Sequence, residues 1–512
     1  MIRLDFNSID LNCPKTWYLI GSGNTKGIFQ LESRLGQSMS KKLKPETIEH
    51  LAALISILRP GCLEAVREGK TVSNHYIDKK NGTESIDYFH HSLEPILKET
   101  YGEMVYQEQA MQICQSIANF NLSEADMLRK AIGKKKPEEM AKIKTLFMEK
   151  TKSANIVNEN EAEQIFSWIE KSQRYSFNKS HAISYALNAY VSAYAKTHYT
   201  KEFFTAYLKF AKDKIDPIKE VAELVHNAHE NRINIYRPDL RKLNKEFILD
   251  QNIIYFGLTN IKGVGESVYN KILDIVSSTK IDINNITINE LLFFILDQIN
   301  SKAAKAIISV GAIDYLKISR KKILFYLDII SNLSAREKEI IINNIDLNDN
   351  IENILSKLLK FVNKKRVQTI SSLISAIQKP AYSLDDNYEW IATSEKQLLG
   401  VSITCSVIDG RDLEAANTDC QSLSKSCIGL KTIIVGAEID DVSIIKTKKG
   451  ANPGQEMAFI KISDSTGSCD IIAFPKEFDT YKHLLFKNNT IMFNLEQTKK
   501  KDSLIIKKCW QL

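Results

Sequence analysis

Apolar residues recur three and four positions apart along most of the first 240 residues, which is the spacing of one face of an α-helix. The stretch ETIEHLAALISIL (46–58) shows this pattern clearly, and Pro60-Gly61 interrupts it. By the same test we expect helices over 104–118, 124–132, 137–151, 161–171 and 182–197. The pattern predicts a large, mainly helical domain over residues 1–240.

The pattern changes along the remaining chain. Residues 241–375 begin with a strand-like piece, NIIYFGLTNI, and continue as helices rich in Ile, Asn, Leu and Lys. Residues 376–428 contain Pro, Ser, Asp and Asn and are predicted to be a connector. From residue 429 to residue 512 apolar and polar residues alternate with the period of two that is typical of strands.

The alternating region contains a set of short strand-like segments with turn residues between them, namely TIIVGAEI, MAFIKIS, SCDIIAF, IMFNLEQ and SLIIKKC. A helix-like insert, KEFDTYKHLL, follows the third segment. This arrangement favours a small five-stranded β-barrel. The predicted fold class is therefore multidomain and mainly α, with a β-barrel at the C-terminal end.

Composition adds only broad limits. The formal net charge of +7 is compatible with a polyanionic partner, but many proteins without such a partner have a similar charge. The 8 cysteines are scattered, without Cys-x-x-Cys or zinc-site spacing, which is typical of reduced thiols in a cytosolic protein. Charges near the N-terminus and the lack of a long apolar run argue against a signal peptide and a membrane span, so we expect a cytoplasmic protein.

A first motif with candidate chemistry is LSEADMLRKAIGKKKPEEM (122–140). Ser123 is the predicted N-cap of a helix, with Asp126 reaching back to it, and Pro137 is expected to open the next helix. The cations around this helix junction are Arg129, Lys130, Lys134, Lys135 and Lys136. They form either a solvated charged surface or a clamp for phosphate oxygens, and both interpretations remain open.

A second motif is RYSFNKSHAISYALNAY (174–190). It places an amide, a cation, a hydroxyl and an imidazole before a predicted helix, on Asn178, Lys179, Ser180 and His181. The backbone amides of a helix N-terminus bind anions, so a phosphate site is one interpretation. A purely structural histidine is the other interpretation.

Two further motifs point to nucleic acid. In IKGVGESVYNKI (261–272) a Gly-x-Gly turn follows Lys262, and in a helix-hairpin-helix the amides of Gly263 and Gly265 would contact a DNA phosphate. An ordinary glycine turn is the alternative. In the barrel, phenylalanines alternate with lysines, as in a groove that stacks single-stranded bases. These residues are Phe459, Lys461, Phe474, Lys476, Phe493 and Lys499, and for most of the phenylalanines we expect barrel core instead.

Some catalytic signatures are missing from the sequence. It contains no GxxxxGK[ST] phosphate loop, no HExxH zinc motif and no Asp-x-Asp pair. Two-metal phosphoryl transfer uses clustered carboxylates, and we therefore assign no catalytic or metal-binding residue to this chain.

The motifs, in this order, resemble the alpha subunit of bacterial DNA polymerase III, a family C replicative polymerase. The similar stretches are GNTKGIFQLES (23–33), LRPG (58–61), SLEPILKETYGEMVYQEQAMQI (92–113), ADMLRKAIGKKKPEEMAKIK (125–144), SFNKSHAISYA (176–186), IKGVGE (261–266), GAIDYL (311–316), EKQLLGVSIT (395–404) and GSCDIIAFP (467–475). The resemblance implies a fingers domain over 1–240, a helix-hairpin-helix and clamp-binding-like region over 241–375, a connector over 376–428 and an oligonucleotide-binding (OB) barrel over 429–512.

In this family the fingers cover the incoming dNTP and the templating base. The resemblance therefore implies phosphate or dNTP contacts at Arg129, Lys130, Lys134, Lys135, Asn178, Lys179, Ser180, His181 and Gln107. It implies DNA contacts at Lys262, Gly263, Gly265, Phe459, Lys461 and Phe474.

The family's catalytic palm, with its Mg²⁺-binding aspartates, would lie upstream of Met1. The resemblance thus implies one part of a split polymerase that acts on primer–template DNA and dNTPs together with a palm-bearing partner chain. The segment QTISSLI (368–374) is a candidate contact for a sliding clamp. A non-catalytic DNA-binding or replisome-assembly protein is the alternative function, and a piece of a longer polymerase chain is a third interpretation.

Overall fold

The computed structural model describes residues 5, 8–134, 137–172, 176–279, 281–425, 432–447, 453–498 and 503–512. The chain divides into two compact units, Met1–Phe203 and Phe204–Leu512. We call them unit one and unit two and describe each by itself. The four domain boundaries drawn from the sequence stay a prediction. No helix in these ranges is long and apolar enough to cross a membrane.

Unit one is built from helices and one short β-hairpin. Its elements are α1 (Pro14–Gly21), α2 (Arg34–Leu43), α3 (Ile48–Ile57), α4 (Pro60–Glu64), β1 (Val66–Arg67), β2 (Lys70–Thr71), α5 (Val72–Lys80), α6 (Glu94–Leu97), α7 (Gln107–Ala118), α8 (Leu122–Lys134), α9 (Pro137–Ala154), α10 (Glu159–Ser172) and α11 (Lys179–His198). The next helix, α12 (Thr200–Phe210), spans the division between the units. Every helix predicted from the apolar spacing of this part is present, with ends shifted by a few residues.

The predicted cap of α8 is wrong. The side chain of Asn121 accepts a hydrogen bond from the backbone N–H of Glu124, and the Glu124 carboxylate accepts one from the N–H of Asn121. This reciprocal cap begins the helix at Leu122 and leaves Asp126 to pair with cations further along. The sequence pattern is ambiguous here, because Asn121 and Glu124 have the same three-residue spacing as the predicted pair, Ser123 and Asp126.

A stripe of alanines explains how α11 packs. Ala182, Ala186, Ala189 and Ala193 are fully buried and recur three and four residues apart. Their short side chains let α11 lie close to α3, which is buried from Leu51 to Ile57. This packing forms the hydrophobic core at the N-terminal side of unit one, while α7 to α10 enclose a second core around Phe147 and Phe166.

Unit two begins with helices and a small sheet. Its elements before the barrel are α13 (Pro217–Glu230), β3 (Ile235–Tyr236), β4 (Ile248–Asp250), β5 (Ile253–Tyr255), α14 (Glu266–Thr279), α15 (Ile288–Glu290), which continues as a π-helix over Leu291–Leu296, α16 (Ser301–Ser309), α17 (Arg320–Ser331), α18 (Ala335–Asn344), α19 (Ile351–Leu358), α20 (Lys364–Gln378), α21 (Tyr388–Leu399) and α22 (Cys420–Lys425). The sheet has the strand order β3-β5-β4.

The C-terminal region forms the closed barrel that the alternating pattern predicts. Its elements are β6 (Ile433–Lys446), β7 (Glu456–Ser463), β8 (Ser468–Ala473), α23 (Pro475–Tyr481), β9 (Thr490–Gln497) and β10 (Leu504–Gln511). The strand order is β10-β8-β7-β6-β9, with β10 parallel to β8 and the other pairs antiparallel. The insert KEFDTYKHLL includes most of α23, between the third and fourth strands. The predicted fold class, mainly α with a five-stranded barrel, is confirmed.

A buried arginine joins several segments of unit two. Arg320 at the start of α17 is 1% exposed and donates to Asp314 at 2.9 Å and to Glu395 at 2.9 Å. Glu395, on α21, is fully buried and also accepts from the backbone N–H groups of Ile403 and Thr404. The segment predicted to be a connector therefore contains a helix that is anchored in the interior of unit two.

We predict that Glu395→Gln destabilises unit two strongly. Removing one partner of a buried ion pair leaves the other charge uncompensated, which costs about 3–5 kcal/mol of unfolding free energy. Glutamine keeps the size of the side chain, so the loss reports charge rather than packing. The measurement is urea unfolding of the full chain, followed through the transition of unit two.

The matched control is Glu389→Gln on the same helix. Glu389 pairs with Arg411 at 3.1 Å, and both side chains are exposed. Such surface pairs contribute about 1 kcal/mol or less, so we expect a small shift. Equal, small shifts for the two variants would show that Glu395 does not anchor α21.

Candidate functional site

A short parallel β-bridge joins Tyr106 to Phe177. The N–H of Phe177 donates to the carbonyl of Val105 at 3.0 Å, and the N–H of Gln107 donates to the carbonyl of Phe177 at 2.9 Å. Because α7 begins at Gln107 and α11 begins at Lys179, the bridge places two helix N-termini side by side. Both N-termini carry partial positive charge, so this is an electropositive place in unit one.

Asn178 and Glu108 fix the junction of the two helices. Asn178 caps α11, since its side-chain oxygen accepts from the N–H of His181 at 2.9 Å. The carboxylate of Glu108 accepts from the Asn178 amide and from the Lys179 N–H, each at 2.9 Å. The side chain of Gln107 reaches the Ser176 carbonyl at 3.5 Å. A carboxylate of the chain itself therefore occupies part of the helix terminus that was predicted to bind an anion.

Lys179 and Ser180 lie at the surface of this junction. The Lys179 ammonium is 2.5 Å from the Glu99 carboxylate and 5.8 Å from the centre of the Tyr106 ring. Ser180 is exposed at the first turn of the helix. Both residues are thus available to a ligand, and Lys179 would exchange its internal carboxylate partner for that ligand.

His181 belongs to a row of rings. Its ring centre is 5.4 Å from that of Phe177 and 4.0 Å from that of Tyr185. Tyr185 in turn lies 5.2 Å from Phe29. We call Phe177, His181, Tyr185 and Phe29 the aromatic row. The imidazole is exposed but held between two rings, which orients it without a hydrogen bond to its nitrogens among the described residues.

A cavity of about 350 Å³ opens beside the aromatic row. It is lined by Gln30, Ser33, Leu35, Ile55, Leu58, Arg59 and Tyr185. The wall therefore combines aliphatic side chains with an arginine, a phenol, an amide and a hydroxyl. Small-molecule sites have this size and this mixture of an apolar wall with a few polar groups.

Arg129 and Lys130 form a separate cluster on α8. Arg129 donates to Asp126 through Nε at 2.9 Å and Nη2 at 2.7 Å, and the Lys130 ammonium lies 2.9 Å from the same carboxylate. Hydrogen bonds from Lys130 and then from Arg129 hold the pKa of Asp126 below its ordinary value. Lys130 is exposed and Arg129 is half-buried, and one acidic residue already balances both cations.

The structure does not bring the predicted phosphate contacts into one cluster. Within the described ranges, no hydrogen bond, ion pair or ring contact joins Arg129 or Lys130 to residues 178–181. Lys135 and the side chain of Lys134 lie outside the described residues. The α8 cations and the α11 terminus are therefore two positive places within unit one.

The glycine turn of unit two presents backbone amides. Gly263 has a φ of +96°, in the region that side-chain-bearing residues rarely adopt, and α14 begins directly after Gly265. In the described part of the chain no acceptor faces the N–H groups of Gly263 and Gly265. Lys262 is exposed, and its backbone N–H donates to the Leu398 carbonyl at 2.8 Å. The turn can thus donate to an anion.

The barrel separates the candidate phenylalanines. Phe493 is fully buried, as expected for core, but Phe459 and Phe474 are 39% and 41% exposed, so the expectation of core is wrong for those two. Phe459 and Lys461 lie two residues apart on β7 and share a face. The exposed phenylalanines are available for stacking. Lys476 is exposed, and Lys499 lies outside the described residues.

Arg59 is not among the site residues predicted from the sequence, although it lies in the LRPG stretch (58–61) and on the wall of the cavity. The carboxylates that pair with the selected cations, Glu99, Glu108 and Asp126, were not predicted as their partners either. Only Asp126 has a local signal, since it lies three residues before Arg129. In the described ranges, no group of three His, Cys, Asp or Glu side chains is placed to hold a metal ion.

Comparison with known proteins agrees with this architecture. Residues 1–155 match the bacterial DNA polymerase III alpha subunit finger domain, and residues 232–323 match a helix-hairpin-helix motif. The chain is 31% identical to the DNA polymerase III subunit alpha of Aquifex aeolicus, over 96% of this chain and 38% of that protein. It is 30% identical to the subunit of Chlamydia muridarum, over 99% of this chain and 39% of that protein.

A more distant relative gives the same result. The DNA polymerase III subunit alpha of Streptococcus pyogenes serotype M18 is 28% identical over 100% of this chain and 43% of that protein. The chain thus spans about two fifths of the length of these relatives. The similarity to this subunit that the motifs indicated is confirmed.

We predict that Lys179→Ala and Arg129→Ala leave the fold intact. Both side chains are about 40% exposed and pair with carboxylates near the surface, so the free energy of unfolding should change by less than about 1 kcal/mol. Asn178→Ala is the contrasting variant, because it removes a helix cap and should cost about 1 kcal/mol or more. Urea unfolding of the full chain measures all three. A collapse of the fold in either cation variant would assign that residue a structural role.

Proposed function

Because the chain is related over nearly its whole length to bacterial DNA polymerase III alpha subunits, we propose that it is the fingers, helix-hairpin-helix and OB-barrel part of a family C polymerase. In this proposal it acts with a separate palm-bearing chain in template-directed DNA synthesis. The observation that carries the proposal is the meeting of the α7 and α11 termini, with Lys179 and His181 beside it. Of these two helices, α7 lies inside the matched finger domain, residues 1–155. Two neighbouring helix N-termini with an exposed cation form an anion site.

The proposed substrate of this surface is a dNTP. Its phosphates would replace Glu99 on Lys179. At the separate α8 cluster a phosphate would replace Asp126 on Arg129 and Lys130, with Arg129 supplying a forked pair of N–H donors. His181 would face the nucleotide from the aromatic row. In the reaction the primer 3′-hydroxyl attacks the α-phosphate and pyrophosphate leaves. The residues of this chain would orient the triphosphate and balance its charge.

Mg²⁺ is expected in such a transfer, but the described residues do not fit it. Metal ions of this kind need clustered carboxylates, whereas the carboxylates that pair with the predicted site residues, Glu99, Glu108 and Asp126, are each engaged by cations or amides. We therefore assign the ions to the palm-bearing partner and derive no step through them here.

DNA would bind to unit two. The amides of Gly263 and Gly265 would donate to a backbone phosphate, with Lys262 beside them, as in non-specific duplex binding. Phe459, Phe474 and Lys461 on the barrel would stack and hold single-stranded template.

The clamp-binding candidate has less support. Residues 368–374 lie inside α20, and the side chain of Ile370 is fully buried. A clamp could reach this segment only on its outer face, so we leave the clamp out of the proposed function.

A non-catalytic DNA-binding protein is the second candidate. The pairing of Arg129, Lys130 and Lys179 with carboxylates of the chain favours it, since a surface with balanced charges can be stable without a nucleotide. The two functions differ in one respect: only the polymerase requires a dNTP.

The first experiment is primer extension with Mg²⁺ and dNTPs. We expect no synthesis by this chain alone and template-directed synthesis when a palm-bearing polymerase chain from the same genome is added. In the mixture, Lys179→Ala and Arg129→Ala should each raise the KM for dNTP by about tenfold. Each variant removes one charge-assisted hydrogen bond, whose loss weakens binding by about that factor. Lys171→Ala, an exposed lysine on α10, is the control and should leave the KM unchanged.

The outcomes separate the candidates. Synthesis by this chain alone would place the metal site in this chain and contradict the division of labour. Absence of synthesis in the mixture, with DNA still bound, would favour the non-catalytic protein.

The turn of unit two generates a separate prediction. Gly265→Val should lower the affinity for duplex DNA by about tenfold, because the added side chain covers amides that would donate to a phosphate. The fold should persist, since nothing lies within 4 Å of a side chain at this position. Gly21→Val is the control, because Gly21 also lacks a positive φ, an added Cβ there meets only ordinary contacts at 3.5 Å or more, and it lies in unit one. Equal affinities at several salt concentrations would remove the turn from the DNA-binding surface.

A further inference from the structure

Arg59 stands out among the cations of unit one by the way its side chain is held. It is the exposed residue before Pro60, which opens α4, and its guanidinium carbon lies 3.7 Å from the centre of the Phe177 ring. Phe177 is itself fixed on both sides of its peptide by the bridge to Val105 and Gln107. The ring therefore orients the guanidinium plane through a cation–π contact.

The donors of Arg59 are unused within the described residues. No hydrogen bond and no ion pair there involves its guanidinium group. The other selected cations differ, because Arg129 and Lys130 share Asp126, and Lys179 pairs with Glu99. A planar guanidinium that is held in place, but lacks an anion, is suited to two oxygens of one phosphate.

The cavity beside Arg59 supplies a second, independent feature. Its volume of about 350 Å³ lies in the range of small-ligand sites. Leu35, Ile55 and Leu58 give it an aliphatic wall, and Tyr185 gives it an aromatic edge. An apolar wall next to a phosphate-binding cation matches a nucleotide, in which a base and sugar adjoin the phosphate.

We propose that Arg59 and this cavity form a nucleotide-phosphate subsite, in which Arg59 grips a phosphate and the wall formed by Leu35, Ile55 and Leu58 receives the adjoining sugar and base. The inference rests on the proposed function and adds to it Arg59 and the cavity beside it. The phosphate belongs either to a free dNTP or to a DNA strand, and the two sources share the chemistry that Arg59 recognises.

The test uses the full chain with two fluorescent probes, a methylanthraniloyl-labelled dATP and a fluorescein-labelled primer–template. Arg59→Gln removes the charge, whereas Arg59→Lys keeps the charge but loses the planar pair of N–H donors. We expect Arg59→Gln to lower the affinity for one of the probes by about tenfold and Arg59→Lys to have an intermediate effect. Lys171→Gln is the charge-matched control on α10 and should bind both probes like the unmodified chain. Thermal unfolding of each variant checks that binding is compared between folded proteins.

Each result has a defined meaning. Weaker dATP binding alone identifies a free nucleotide as the source. Weaker DNA binding alone, with the slope of log affinity against log salt reduced by about one, identifies a strand phosphate. If the unmodified chain binds at least one probe and Arg59→Gln binds every such probe equally well, the subsite is overturned while the proposed function stands. If the unmodified chain binds neither probe, both are overturned.

Discussion

The pairing of residues 105–107 with Phe177 is the constraint on which the candidate site depends. Two backbone hydrogen bonds hold together segments that are far apart in sequence, and each segment leads directly into a long helix. The same peptide that joins α7 to α11 carries the ring under Arg59. Helix termini, cation and aromatic row are therefore positioned by one local contact, so that a disturbance of the bridge would displace all of them together.

The electrostatics of the site follow from this geometry. A concentration of helix termini and cations is unfavourable unless something balances it, and here Glu108, Glu99 and Asp126 supply the negative charge. The ion pairs of Glu99 and Asp126 lie toward the surface, where an ion pair is weak and easily exchanged, whereas the contacts of Glu108 are partly buried. The acidic residues thus stabilise the unliganded fold while leaving a phosphate able to compete for the same donors.

Much of the fold could be predicted from the sequence because its elements have strong local signals. The apolar spacing located α7 to α11, and the period of two located each barrel strand. Within the predicted connector over 376–428, the polar composition conceals α21. What holds α21 is the ion pair between Glu395 and Arg320, residues distant in sequence, and no local pattern reveals such a partner. The exposure of Phe459 and Phe474 likewise depends on barrel closure, which orients each strand.

The site was predictable by residue type but not by arrangement. Asn178, Lys179 and His181 stand together in the sequence, so their proximity needed no structure. Arg59 has no such local signal. Its orientation depends on the Phe177 ring, which the β-bridge to Tyr106 holds in place. A cation without a charged partner is costly to keep in a fixed orientation unless another contact holds it, and the aromatic ring is that contact. An arginine held in this way is already oriented before a ligand arrives, which reduces the entropy that binding must lose.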